Sequence, residues 1–282
     1  VKVYSSISAL QEHILSLKLD GKTIGFVPTM GALHYGHISL VSSAITQCDI
    51  TIVSIFVNPT QFNNSNDLVN YPRTLEADIE LLSTINSDIV FAPSVEEMYP
   101  EKNESIRLDL GNLADVMEGK FRPGHFDGVV NVVSRLFEIV QPDKAFFGLK
   151  DFQQVSVIRF MTNALKLPIE IIACPTLRED SGLAMSSRNM RLSEVQKKDS
   201  LIIFNSLCFA KDIASNLSPE SVKLKVIDFF KKGGLTLEYF EIVNPITLES
   251  LTSEWVPNAT ACIVAFCGEV RLIDNMNLKA QD

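Results

Sequence analysis

Apolar residues fall into two alternating rhythms through the first 175 positions. The run TIVSIFV, Thr51 to Val57, is almost continuously apolar, which predicts a strand covered on both faces in a parallel sheet. KTIGFV (Lys22 to Val27), DIVFA (Asp88 to Ala92), AFF (Ala145 to Phe147) and IEIIAC (Ile169 to Cys174) predict further strands. Between them His37 to Cys48, Thr74 to Asn86, Val129 to Val140 and about Phe152 to Leu165 carry apolar residues at helical spacing. A polar, irregular stretch separates Ala92 from Val129. Strands separated by helices predict right-handed crossovers and an α/β fold built on a doubly wound parallel sheet.

Pro175 marks a domain boundary in this reading, giving domains 1–175 and 176–282. Past the polar segment REDSGLAMSSRNMRLS come helices near Glu194 to Ile213 and Pro219 to Lys232. The β-rich segments LEYFEIV (Leu237 to Val243) and ACIVAFC (Ala261 to Cys267) complete a smaller C-terminal α/β domain. At 282 residues and 46% hydrophobic composition the chain can bury a large core. Its formal charge of -9 argues against a broad nucleic-acid surface but leaves room for a local phosphate pocket. No apolar run reaches the length of a membrane span, and no secretory leader pattern opens the chain. Cys48, Cys174, Cys208, Cys262 and Cys267 are odd in number and lack C-x-x-C spacing, as expected of a reduced, cytoplasmic protein with buried thiols.

Candidate chemistry gathers at the ends of the expected strands. In PTMGALHYGH, Gly31 and Gly36 have Walker spacing, but His37 and Ile38 replace the Lys-Ser/Thr pair, and G-x-G-x-x-G is absent. A strand, a turn at Gly31 and a helix beginning near His37 would aim backbone N–H groups at an anion, with His34 and His37 on one face. The same histidines are compatible with a satisfied helix start or a metal site, although no nearby Cys or carboxylate completes a ligand set. Asn58 and Gln61 in NPTQF follow the second strand, where loops line the crevice of an open sheet; they suit a small polar substrate or a plain Asn-capped turn. Arg73 in YPRT reads equally as a solvated charge. In FRPGHFDGV, Arg122 and His125 can order a loop, while Asp127 can cap the following helix. In FFGLKDFQQ, Lys150 can neutralise a phosphate oxygen and Gln154 can reach a carboxylate or hydroxyl without adding charge. Ser186, Ser187 and Arg188 in GLAMSSRN form an oxyanion clamp in one reading and a helix cap in the other. Their context is not that of a serine hydrolase.

Taken together, PTMGALHYGH, FVNPTQF, YPRT, FRPGHFDGV, FFGLKDFQQ and GLAMSSRN resemble, in order and spacing, the pantothenate synthetase (pantoate–beta-alanine ligase) family. The resemblance runs from about Ile24 through Asn189, and GEVRLIDN, Gly268 to Asn275, looks like the family's carboxyl-terminal signature. It implies a Rossmann-like amino-terminal domain, a cytoplasmic homodimer, and condensation of (R)-pantoate with beta-alanine through pantoyl adenylate, giving pantothenate, AMP and pyrophosphate. ATP with Mg²⁺ is implied, the metal ligands being left unassigned. Around ATP it implies Met30, Gly31, Ala32, Leu33, His34, Tyr35, Gly36 and His37, with Gly148, Leu149, Lys150, Asp151, Leu177, Met185, Ser186, Ser187 and Arg188. Gln61 and Gln154 are implied on pantoate, Gln61 also bordering beta-alanine. His37 is the implied proton donor, with His34, Lys150 and Arg188 completing the catalytic group. Two departures stand out: Tyr35 replaces an acidic residue common in relatives, and Ser181 replaces an Asp before Gly182. The competing readings are a nucleotidylyltransferase that stops after nucleotide transfer and a nucleotide-binding regulator without catalysis.

Overall fold

The computed structural model describes residues 1–62, 65–100 and 106–279; part of the polar stretch after Ala92 lies outside them. Nine strands occur among the described residues. They are β1 (Lys2–Tyr4), β2 (Ile24–Thr29), β3 (Ile50–Ile55), β4 (Ile89–Phe91), β5 (Lys144–Gly148), β6 (Glu170–Cys174), β7 (Thr236–Val243), β8 (Thr260–Cys267) and β9 (Val270–Asn277). The longer helices are α1 (Ile7–Leu19), α2 (Tyr35–Gln47), α4 (Leu75–Ser83), α8 (His125–Val140), α9 (Phe152–Ala164), α10 (Glu194–Ile213) and α11 (Pro219–Phe230). Short helical turns are α3 (Ser65–Val69), α5 (Val95–Met98), α6 (Asn112–Asp115) and α7 (Met117–Phe121).

Six strands form one sheet in the order β1-β4-β3-β2-β5-β6, and every pairing in it is parallel. The order reverses between β2 and β5, so the loops leaving their carboxyl ends open at the topological switch point of the sheet. The apolar run of β3 sits between β2 and β4 with four consecutive residues, Thr51 to Ser54, buried, as continuous apolar patterning requires of a strand with no exposed face. Three aspartates set the register along the opposite edge. Asp49 accepts from the Thr23 amide at 2.9 Å, Asp88 from Thr51 at 2.8 Å and Asp143 from Ile24 at 2.7 Å. Each stands just before a strand and ties it to the start of its neighbour, satisfying an amide that the ladder does not reach.

The expected parallel α/β sheet is therefore present, with each predicted strand and helix of the first 175 residues. Two helix starts differ. α2 begins at Tyr35, ahead of His37, because His34 caps it. α8 begins four residues earlier than periodicity suggests, at His125, after Gly124 in the left-handed region at φ 78°. Asp127 consequently lies in the first turn of α8, where it meets the helix dipole, and does not cap the helix. The three-residue edge strand β1 is too short to stand out in the sequence; α1, whose Ile7, Leu10, Ile14 and Leu17 fall at helical spacing, is an element the sequence reading did not include.

The chain divides into two compact units: Val1–Leu110 with Arg122–Gly148 and Val157–Pro175, and Gly111–Phe121 with Leu149–Ser156 and Thr176–Asp282. In the first, Val27, Val41, Ala44, Val53, Leu82, Val90 and Phe146 form a core between sheet and helices. The second is built on an antiparallel β7-β8-β9 sheet under α10 and α11, with Ile203, Leu207, Val226, Phe240, Ile263 and Leu272 at its centre. Two earlier stretches of chain join it, Met117 packing with Val243, Leu248 and Cys262 in a buried apolar cluster that polar contacts reinforce. Gln153 accepts from the Glu118 amide at 3.0 Å and donates to the carbonyls of Leu113 and Val116 at 2.9 Å each. The Glu118 carboxylate receives Arg271 at 2.7 and 2.8 Å and the Tyr239 hydroxyl at 2.9 Å. Burial, then the Glu118 charge, push the Tyr239 pKa up and keep the hydroxyl a donor. All five cysteines are free thiols. No helix among the described residues is long and apolar enough to cross a membrane.

Candidate functional site

In the first unit the segment after β2 is shaped by a buried carboxylate. Gly31 at φ 79° and Ala32 at φ 50° turn the chain sharply, and Asp78, 3% exposed, receives the amides of Ala32 and Leu33 at 2.9 and 2.8 Å. A Cβ at Gly31 would stand 3.0 Å from the Asp78 carboxylate and 3.0 Å from Ile55, so the tight approach favours glycine as well as the dihedral. The Gly31 amide donates to the Thr29 hydroxyl at 3.1 Å. These amides were expected to face an anion; the protein itself uses those of Gly31, Ala32 and Leu33.

The two histidines form a reciprocal cap. His34 precedes α2, and its Nδ1 accepts the Gly36 amide at 3.1 Å, while His37 Nδ1 accepts the His34 amide at 3.3 Å. The rings lie 4.1 Å apart between centroids. An amide can only donate, so both Nδ1 atoms are acceptors and each neutral ring carries its proton on Nε2. The helix-start reading and the functional reading are therefore compatible: capping fixes tautomer and orientation together. Tyr35, between them, is 68% exposed, consistent with a variable position.

Gln61 ends the turn after β3. Asn58, 1% exposed, caps this turn: its Oδ1 accepts the Thr60 amide at 3.3 Å and the Tyr99 hydroxyl at 2.9 Å, and its Nδ2 donates to Gln61 Oε1 and Gly128 O at 3.3 Å each. Those bonds commit Asn58 to the scaffold, resolving its two readings. Gln61 Nε2 meets Met30 Sδ at 3.0 Å, and the Gln61 carbonyl accepts from His125 Nδ1 at 2.9 Å. FRPGHFDGV thus orders the NPTQF turn, the role weighed for His125. Arg73 donates to the carbonyls of Tyr71 and Leu68 and stiffens its own loop. The unit brings Met30, the two histidines' segment and Gln61 together; Gly148 ends β5, and a Cβ there would meet nothing within 4 Å.

The second unit holds the Lys150 turn and the GLAMSSRN segment. Lys150 is only 18% exposed along its side chain, and its ammonium is 4.0 Å from Asp151, beyond hydrogen-bond reach. Among the described residues no carboxylate hydrogen-bonds it. The adjacent glutamines divide their work: the Gln153 side chain is spent on three backbone bonds, whereas the Gln154 side chain makes no hydrogen bond among the described residues. Leu177 is 40% exposed and its carbonyl accepts the Met185 amide at 3.0 Å. Ser186 caps the turn Ser187–Arg191 through the Arg188 amide at 3.3 Å, so one of the two clamp hydroxyls is also a cap. Asn189 donates to Glu179 at 2.9 Å and the Ala184 carbonyl at 3.1 Å. Ser181, the departure noted in sequence, accepts the Leu183 amide at 3.5 Å and makes the turn an Asp would make.

Two determinants escaped sequence reasoning. Asp78 sits in a helix already assigned by periodicity, and its buried acceptor role has no local signature. Asn275 donates to the carbonyls of Leu149 and Lys150 at 2.8 and 2.9 Å across more than 120 residues of chain. The signature GEVRLIDN was the available signal.

A sequence model of the family described as Pantoate-beta-alanine ligase matches residues 2–277. The chain belongs to the pantoate–beta-alanine ligase family. It is 50% identical to a pantothenate synthetase of Phocaeicola vulgatus over 99% of this chain and 100% of that one. A Porphyromonas gingivalis pantothenate synthetase is 48% identical over 98% and 99% of the two chains. A crystal structure of pantothenate synthetase from Thermus thermophilus superposes with a TM-score of 0.93 at 38% identity, covering 99% of this chain and 100% of that one. The Francisella tularensis pantoate–beta-alanine ligase, complexed with beta-gamma ATP and beta-alanine, gives 0.82 at 38% identity over 99% and 98%. The resemblance seen in the motifs is thus borne out along the whole chain, and with it the enzyme class and the fold.

Proposed function

We propose that the chain joins (R)-pantoate to beta-alanine at the expense of ATP through a pantoyl adenylate. The observation that carries the reading to the residues is Lys150: a mostly buried ammonium whose ion pair with Asp151 spans 4.0 Å, too long for a hydrogen bond, so that its donors suit a closer anion. The family membership and the nucleotide and beta-alanine complex of the Francisella relative support the same chemistry.

In this reading a pantoate carboxylate oxygen attacks the α-phosphorus, the bond to the bridging oxygen breaks, and pyrophosphate leaves. Gln61 and Gln154 hold pantoate, their uncharged amides matching a small hydroxy acid. His37 donates from Nε2 to the phosphate chain, with His34 beside it, and Lys150 and Arg188 offset the charge that develops. The amine of beta-alanine then attacks the adenylate carbonyl, losing a proton, and AMP departs with the bonding pair. No enzyme nucleophile is required. The segments Met30 to His37, Gly148 to Asp151, Leu177 and Met185 to Arg188 border ATP, and Gln61 borders beta-alanine. Residues 1–175 carry nucleotide and pantoate binding, and 176–282 carry the Ser186–Arg188 clamp. Among the described residues no group of three or more His, Cys, Asp or Glu could hold a metal ion. Mg²⁺ would accompany ATP in this reading, its protein ligands being unassigned. Bound there, it supplies charge neutralisation. The protein acts as a cytoplasmic homodimer in this reading, which sedimentation at working concentrations checks.

The decisive experiment supplies ATP, pantoate and Mg²⁺ with and without beta-alanine and follows pyrophosphate, AMP and pantothenate. Pantothenate in the complete mixture is expected. Pyrophosphate without pantothenate would assign a nucleotidylyltransferase, and ATP binding without turnover a regulator; either overturns the reading.

A further inference from the structure

Adjacent residues of a strand face opposite sides of its sheet, so a consecutive pair can hold two different segments. On β9 the alternating pattern places Asp274 in line with the core residues Val270 and Leu272, while Asn275 faces the other side. Asp274, 4% exposed, takes a bidentate pair from Arg178 at 2.6 and 3.0 Å. Arg178 also donates to the Gly182 carbonyl at 3.2 Å and bridges to Ala184, so it closes the base of the turn leading into Met185 to Arg188. Its guanidinium lies 4.7 Å from the centre of the Phe204 ring. Asn275, whose own amide donates to Asp274 at 2.8 Å, spends both side-chain hydrogens on the carbonyls of Leu149 and Lys150.

A buried ion pair at a core position adds little that a well-packed apolar residue would not, so stability alone is a poor reason for Asp274. We propose that Asp274 and Asn275 are positioning residues that hold the Lys150 turn and the Ser186–Arg188 segment in fixed register. This rests on the ligase reading, in which both segments handle phosphate. Asn275 acts through Lys150 by pinning the turn that aims its side chain. Asp274 acts through Arg178 on the segment that carries Arg188. A charge-neutralising group displaced by a fraction of an ångström loses much of its effect in the transition state.

A double-mutant cycle on adenylate formation tests this, read as pyrophosphate release from ATP and pantoate. Asn275→Ala is expected to lower the rate constant about 10-fold with the pantoate KM changed less than about twofold and the thermal midpoint nearly retained. In a Lys150→Ala background the same substitution is expected to cost less than about twofold, because the group it positions is gone. Asp274→Asn should show the same loss of effect in an Arg188→Ala background. Should Asn275→Ala lose its fold, Asn275→Ser, too short to reach either carbonyl, replaces it in the cycle. Equal fold-losses in both backgrounds, or wild-type rates in a folded Asn275 variant, would overturn the positioning role and leave the ligase reading intact. An inactive wild-type protein would instead remove the ligase reading and this proposal with it.

Discussion

Gly128 is one turn inside α8, where the helix lies against the Pro59–Gln61 turn. A Cβ there would stand 2.6 Å from the Thr60 carbonyl oxygen, 2.8 Å from Gln61 Cα and 2.9 Å from Gln61 N. These are backbone atoms, held from one side by Asn58 and from the other by His125, so no side chain can swing aside. Gly128→Ala must therefore push the turn and the helix apart by roughly 0.8 Å to restore ordinary contact. Overpacking of this kind costs about 1–3 kcal/mol, and the better helix propensity of alanine returns about 0.5–1 kcal/mol. The net loss of about 1–2 kcal/mol corresponds to a fall of roughly 2–4 °C in Tm for a protein of this size. Because the displaced atoms include Gln61 itself, the pantoate KM should rise about 10-fold or more while the ATP KM stays within about twofold. Thermal unfolding followed by circular dichroism, together with steady-state kinetics in each substrate, measures both. Gly148→Ala is the control for stability, since its Cβ meets no protein atom within 4 Å. A Gly128→Ala protein as stable as wild type with an unchanged pantoate KM would refute the argument.

His37→Ala and Lys150→Ala should each slow single-turnover adenylate formation by about 10²–10³ while the far-ultraviolet spectrum is retained; wild-type rates in either would remove its electrostatic role. Gln154→Ala should weaken pantoate use with little change in Tm, whereas Gln153→Ala, which removes a partner from the Glu118 amide and the Leu113 carbonyl, should lower stability by about 1–3 kcal/mol; urea unfolding of the pair separates them, and equal destabilisation would contradict the division. Arg271→Met leaves Glu118 and Glu238, with side chains 11% and 15% exposed, without their shared cation. A loss of about 3–5 kcal/mol is expected on urea unfolding, and a loss under about 1 kcal/mol would show the triad to be dispensable.

What the sequence disclosed follows the range of the forces involved. β3 and α8 announced themselves because burial imprints a pattern on neighbouring residues, and the helix expected near Glu194 to Ile213 is α10, which the structure shows to be capped by Ser193. Lys150, Gln154 and Arg188 stand out in the sequence because strand ends and Gly-bearing turns are where α/β chemistry gathers, and their proposed roles await the experiments above. The hidden determinants are long-range. Nothing near Asp78 says that its carboxylate will close the Gly31–Leu33 turn, and nothing near Asn275 points to Lys150. The three aspartates before β3, β4 and β5 repeat in plain view, yet their partners belong to adjacent strands and become apparent only when the sheet is assembled. The choice between Gln153 and Gln154 was likewise fixed by which of them faces α7.

An acidic chain that handles a triphosphate is a paradox only if charge is counted globally. At physiological salt a charge is screened beyond roughly 8 Å, so what a phosphate meets depends on which nearby carboxylates are already engaged. Asp78 is occupied by two amides and the Thr74 hydroxyl, Asp274 by Arg178, and Glu118 with Glu238 by Arg271. Each of these anions is spent on shaping a segment, and Asp78, Asp274 and Glu118 are buried while their donors are at most partly exposed. Lys150 is built the other way, packed into the protein but held 4.0 Å from its carboxylate neighbour. The net charge of -9 records the sum of both kinds, while the proposed chemistry depends on their difference: carboxylates hydrogen-bonded within the fold, and a cation whose nearest carboxylate stands at ion-pair distance without a hydrogen bond.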